Sequence, residues 1–161
     1  MTVIPDKEDK KRARTLALKY LSYRGRSLRE MADYLEKKRF VPGVVAETIR
    51  YLANLKYLDD ARFALSWGAA RIRSKKVGRQ RLQEELLHKG IARTHVTWAL
   101  DELYLEEDEE QLARSCVEKK IRGMKRIDPA TRFRRLAGYL QRKGFPSHIV
   151  FRVLKELDFE S

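Results

Sequence analysis

The stretch RQRLQEELLHKGIARTHVTWALDEL, residues 79–103, occurs three times in altered form, and its reading decides the fold. LREMADYLEKKRFVPGVVAETIRYL (28–52) and FRRLAGYLQRKGFPSHIVFRVLKEL (133–157) align with it without gaps. Six apolar columns coincide: Met31, Leu82 and Leu136; Leu35, Leu86 and Leu140; Phe40, Ile91 and Phe145; Val45, Val96 and Val150; Ile49, Leu100 and Leu154; Leu52, Leu103 and Leu157. Within each copy the spacing is i, i+4 in the first half and i, i+4, i+7 in the second, so each half places an apolar stripe on one face of a helix. Self-similarity at a fixed period marks a repeat architecture.

The two helices are separated by KRF, KGI and KGF. Gly90 and Gly144 suit the left-handed residue that ends a helix, with an apolar residue behind to fold back. Arg39 stands in that column of the first copy, where a side chain costs roughly 1 kcal/mol, so the first turn is expected to differ from the others. Ser27 and Glu30 form the S-x-x-E capping box, Asp128 precedes Pro129 as an N-cap, and Pro42 fits a first helical turn.

A further helix precedes each pair. Its apolar positions are Leu16, Ala17, Tyr20 and Tyr23, then Phe63, Ala64, Trp67 and Ala70, then Leu112, Ala113, Cys116 and Ile121. The expected architecture is all-α: three tandem three-helix repeats at 12–58, 59–105 and 106–161, behind an N-terminal extension or early helix start at 1–11. Asp59 and Asp60 stand where the second repeat begins, and Glu106 to Glu110 mark the third junction. Carboxylates there accept the free N–H groups of a first turn and meet the positive end of its dipole. A two-metal site would need acids converging from separate elements, whereas adjacent helical residues diverge by about 100°. These acids therefore read as caps.

Cysteine occurs once, as Cys116, so neither an internal disulfide nor a cysteine-rich zinc site forms within the chain. No phosphate-binding loop, nucleophile elbow or H-E-x-x-H motif is present, and His88, His95 and His148 are scattered. The sequence reads as a non-enzyme without cofactor or metal. No apolar run approaches the ~18 residues of a membrane span, and MTVIPDKEDKK has no signal-peptide core. A cytoplasmic monomer without membrane contact is expected.

Lysine and arginine number 36 against 23 acids, a formal charge of +13. Such an excess suits a polyanionic or acidic partner. The cations gather where the first helix of a repeat joins the second. One cluster is Arg71, Arg73, Lys75, Lys76, Arg79 and Arg81; another contains Lys119, Lys120, Arg122, Lys125, Arg126, Arg132, Arg134 and Arg135; Arg24 and Arg26 mark the same place in the first copy. From 119 to 143 ten basic residues face Asp128 alone. Stacked repeats would turn these groups to one side as a basic stripe. Phosphate contacts need little more, because they are electrostatic and mostly independent of sequence. A helix-turn-helix can be drawn from any repeat, but no Asn/Arg/Gln cluster singles out a recognition helix.

LSYRGRSLREMADYL (21–35), YLDDARFA (57–64), GRQRLQEELLHKGI (78–91) and YLQRKGF (139–145) together resemble the RecX family of bacterial regulatory proteins. The likeness runs from about residue 12 onward. The resemblance implies an elongated, curved array of three-helix modules. It also implies a non-enzymatic negative regulator of the RecA recombinase. Such a protein lodges in the groove of the RecA–DNA filament and lowers ATP hydrolysis, coprotease activity and strand exchange. Implied partners are the RecA filament and single- or double-stranded DNA, bound directly or within the filament. The alternative is a stand-alone basic nucleic-acid-binding protein, architectural or helix-turn-helix-like.

Overall fold

The computed structural model describes residues 6–159, the side chains at 106, 158 and 159 excepted. Those residues form nine helices and no strand: α1 Lys7–Tyr23, α2 Leu28–Lys37, α3 Pro42–Asn54, α4 Asp60–Lys75, α5 Arg79–His88, α6 Arg93–Glu106, α7 Glu109–Ile121, α8 Pro129–Arg142 and α9 Ser147–Phe159. Extensive helix–helix packing stays within the triplets α1–α3, α4–α6 and α7–α9.

Each triplet closes its own core from the recurring apolar columns. Ala13, Ala17, Met31, Leu35, Val45 and Leu52 meet in the first. Phe63, Ala64, Leu82, Leu86, Val96 and Leu100 meet in the second. Ala113, Cys116, Leu136, Leu140, Val150 and Leu154 meet in the third. Cys116 is a small buried member of that core. A single ball of 19.0 kDa would expose about 8,400 Å²; this protein exposes 10942 Å². The excess is the surface that three separate small cores leave uncovered, as an extended tandem array requires.

The turn inside each repeat is the same in all three copies. The amides of Phe40, Ile91 and Phe145 donate to the carbonyls of Leu35, Leu86 and Leu140 at 3.3, 3.2 and 3.1 Å. The residue before them is left-handed each time: Arg39 at φ 66°, Gly90 at 81° and Gly144 at 92°. Arg39 therefore does not change the turn; it adopts the strained conformation, held there by the burial of Phe40.

Helix starts are satisfied as their residues allow. Asp6 accepts from the Glu8 amide at 3.4 Å at the start of α1; residues 1–5 of the expected extension lie outside the description. Both halves of the capping box form, with the Glu30 amide on Ser27 Oγ and the Ser27 amide on Glu30 Oε2, each at 3.1 Å. Asp59 Oδ1 accepts from the Arg62 amide at 3.1 Å, and Asp128 Oδ2 from the Thr131 amide at 2.9 Å. Asp60 caps a different helix from the one it begins. Its Oδ1 accepts the Leu28 amide at 2.9 Å, reaching back into the preceding repeat.

Candidate nucleic-acid interface

The cations are positioned by two joints between repeats. In each joint the turn of one repeat docks on the N-terminus of the preceding repeat's middle helix, so α8, α5 and α2 follow one another head to tail. Ser27 Oγ donates to the Lys89 carbonyl at 2.8 Å in the joint between repeats 1 and 2. Gly78, in the column of Ser27, donates its amide to the Lys143 carbonyl at 2.8 Å in the joint between repeats 2 and 3, and Gln80 donates to Gly144 at 3.1 Å. A carboxylate from the following repeat completes each one: Asp60 on the Leu28 amide, and Glu109 Oε1 on the Arg79 amide at 2.8 Å. Burial pushes both carboxyls above the ordinary range, against the pull of those amides.

The turn glycines have a second reason at these joints. A Cβ on Gly90 would run into the side chain of Arg29, and one on Gly144 into Cβ and the backbone of Arg81. Gly78 lies so close that its Cβ would stand 2.5 Å from the Gly144 carbonyl. Glycine is needed where backbones approach like this. The turn carrying Arg39 occupies neither joint.

Charged and aromatic side chains link the joints in an unbroken series. Arg24 Nη2 pairs with Glu30 Oε1 at 2.8 Å, and Lys89 Nζ reaches the same oxygen at 2.8 Å. Lys89 also lies 5.0 Å from the Trp67 ring, as does the Arg71 guanidinium at 5.5 Å. Arg71 holds Glu85 through two hydrogen bonds, 2.9 and 2.7 Å, and Arg81 Nε adds a third at 3.0 Å. Arg81 Nη1 crosses to the Arg142 carbonyl at 2.9 Å. Lys143 Nζ contacts the Lys75 carbonyl and, with Lys120, flanks the Tyr139 ring. Burial raises the Glu30 carboxyl, but bonds from Arg24, Lys89 and the Ser27 amide outweigh it and hold the group at about 2. Arg71 and Arg81 likewise hold Glu85 below the carboxylate range against burial. Lys143 is pushed down by burial and by Arg71, Arg81 and Lys75 around it.

The sequence-selected cations thus divide in two. Arg24, Arg71, Arg79 and Arg81 are engaged in ion pairs, Arg79 with Asp101. Arg26 lies on the Tyr20 ring at 3.7 Å, with its buried Nε unpaired. Exposed Arg73, Lys75, Lys76, Lys119, Lys120, Arg122, Lys125, Arg126, Arg134 and Arg135, and half-buried Arg132, make no ion pair with described residues. Lys119, Lys120 and Arg135 line an open basin of about 560 Å³ with Gly123, Met124, Ile127 and Tyr139. Sequence reasoning counted Lys143 at the end of the second cluster without singling it out and missed Lys89, although both precede a turn in one column, and it missed the acids that occupy the arginines. Among the described residues no group of three or more His, Cys, Asp or Glu gathers to hold a metal ion. No described helix is long and apolar enough to cross a membrane.

Known proteins share this organisation. Models of the first, second and third three-helix domains of RecX match residues 13–52, 59–100 and 107–154. The chain is 32% identical over 158 residues to the regulatory protein RecX of Oceanobacillus iheyensis, covering 98% of this chain and 58% of that protein. It is 30% identical over 152 residues to that of Streptomyces lividans, covering 94% and 80%. It spans little more than half the length of the Oceanobacillus and Bacillus relatives, 54% for Bacillus subtilis. The crystal structure of RecX from Lactobacillus salivarius superposes with a TM-score of 0.79 at 24% identity, over 94% of this chain and 98% of that one. Three repeats in order, each with its own domain match, and a Streptomyces relative covered over most of its length lead to one assignment: the chain belongs to the RecX family of regulatory proteins.

Proposed function

We propose that the protein is a non-enzymatic negative regulator of RecA, binding along the RecA–DNA filament and lowering its ATPase, coprotease and strand-exchange activities. The observation that supports this most is the linear series of cations running across two joints of a tandem array. A filament presents the same surface at regular intervals. Modules linked in a row engage several such surfaces at once, and each contact raises the effective concentration for the next. The unpaired cations Arg73, Lys75, Lys76, Lys119, Lys120, Arg134 and Arg135 are the contacts we assign to acidic protein surface or to DNA within the groove. The ion-paired arginines brace their own repeats, and Arg81 also crosses a joint to the Arg142 carbonyl. Titrating the purified protein into RecA on single-stranded DNA tests this: ATP hydrolysis should fall as the protein approaches a fixed ratio to RecA. Unchanged hydrolysis at saturation overturns it.

A second reading, a stand-alone nucleic-acid binder, is favoured by the basin beside Tyr139, where cations surround an aromatic ring. Binding to DNA without RecA, with log affinity falling by about 0.9 per duplex phosphate or 0.7 per single-strand phosphate for each decade of salt, would support it. A flat salt response would exclude it.

A further inference from the structure

The two joints share a backbone plan but differ in charge. In the first, Glu30 sits between Arg24 and Lys89 and accepts from both. Arg81 occupies the column of Glu30, and Lys143 the column of Lys89. The second joint therefore has a cation where the first has its anion. Lys143 reaches the Lys75 backbone and Arg81 the carbonyl of Arg142 beside it, so cationic residues crowd the joint, and Glu85 is already taken by both Arg71 and Arg81. Lys143 Nζ finds the neutral Lys75 carbonyl and the Tyr139 ring, and no carboxylate among the described residues. The amides of Gly78, Arg79 and Gln80 are all used within the joint, so the helix terminus is not what remains open.

We propose that this joint seats one phosphate group of a nucleic-acid backbone on Lys143, Arg81 and Lys75, taking the part that the Glu30 carboxylate plays in the first joint. The proposal rests on the reading of the basic series as a nucleic-acid contact. The bound phosphate closes repeat 3 onto repeat 2, so contact with the polyanion stiffens the array where its own charges push apart. An oxyanion between Lys and Arg donors forms charge-assisted hydrogen bonds, roughly twice as strong as neutral ones. Chloride offers no comparable geometry.

Thermal unfolding of the full chain, without RecA, is the test. It is followed by helical signal in chloride, in inorganic phosphate at equal ionic strength, and with an oligothymidylate. The oligonucleotide and phosphate should both raise the melting temperature saturably, by about 3–6 °C at tenfold excess over the dissociation constant. Per phosphate, the oligonucleotide should act at the lower concentration. Arg81→Glu installs the carboxylate of the first joint and should abolish the response. Lys143→Gln leaves the Arg81–Glu85 and Arg81–Arg142 contacts in place and should reduce the response at least tenfold in concentration, whether or not Arg81→Glu folds. Equal shifts in chloride and phosphate, or full responses in Lys143→Gln, overturn the seat. Inorganic phosphate acting at lower concentration than the oligonucleotide assigns it to free phosphate instead, and overturns the nucleic-acid assignment. Inhibition of RecA by the wild-type protein, measured separately, reports on the proposed function, whose failure is thereby distinct from failure of the seat.

Discussion

The joint between repeats 1 and 2 is made largely by side chains; the joint between repeats 2 and 3 is made largely by backbone. Arg24, Ser27, Glu30, Asp60 and Lys89 meet in the first, where two cations offset two carboxyls. In the second the amides of Gly78 and Gln80 donate straight into the end of α8, and the charges left around them are mostly positive. One docking geometry therefore tolerates two chemistries. What it requires is a helix N-terminus, a turn with a left-handed glycine and a carboxylate from the next repeat. The rest of the joint is free to vary, and in this protein that freedom separates a balanced contact from a cationic one.

The largest effect should come from filling the turns. Gly144→Ala forces a Cβ against the Arg81 backbone, which has nowhere to go, and keeps a left-handed φ. It should cost about 2–4 kcal/mol. Gly90→Ala meets Arg29, whose Cδ and Cγ can swing aside but whose Cβ, 2.7 Å away, is fixed to its helix, and it too keeps a left-handed φ; it should cost about 1–3 kcal/mol, less than Gly144→Ala because no backbone amide stands in the way. Urea midpoints of the two variants measure the gap, and equal losses would mean that the joints are equally tight.

Next comes the half-buried acid of the first joint. Glu30→Gln leaves Arg24 and Lys89 sharing a neutral acceptor, a loss of about 1–3 kcal/mol at pH 7. Because the folded carboxyl sits at about 2, below its ordinary value of about 4.3, the unfolded chain binds the proton more readily. Glu30 therefore contributes fully above its unfolded pKa and loses that contribution as pH falls toward the folded one. The difference in melting temperature between wild type and Glu30→Gln should shrink over that window. A constant difference down to pH 3 would place the stabilisation elsewhere.

The smallest effect belongs to the turn that docks on nothing. Arg39→Gly relieves the left-handed side chain and should gain about 0.5–1 kcal/mol in urea unfolding. A loss would show that the Arg39 side chain contributes more than its backbone conformation costs.

Much of this was legible in the residues. Apolar columns such as Leu35, Leu86 and Leu140 carry helix periodicity and burial together, so both follow from one pattern. Ser27 with Glu30, and Asp128 with Pro129, act within a few residues of themselves, where spacing determines geometry. The joints act at long range. Asp60 seeks an amide 32 residues back, and an amide has no signature in a sequence. Arg71 finds Glu85 14 residues away, through packing that only the closed triplet sets. For that reason the clusters looked like uniform cationic runs, whereas the structure separates paired arginines from free lysines and arginines. One signal was present in the alignment: the column occupied by Glu30 in the first copy is occupied by Arg81 in the second.

Three self-contained cores joined at two narrow contacts also have a mechanical consequence. Bending or twisting the chain of modules strains the polar bonds of a joint and, at the second, the contact Leu112 shares between two cores, while the fully buried side chains of each module stay closed. Compliance is thus confined to two points, like the knuckles of a finger. A change of pitch between modules would be taken up at those points before it reached the parts that keep each module folded.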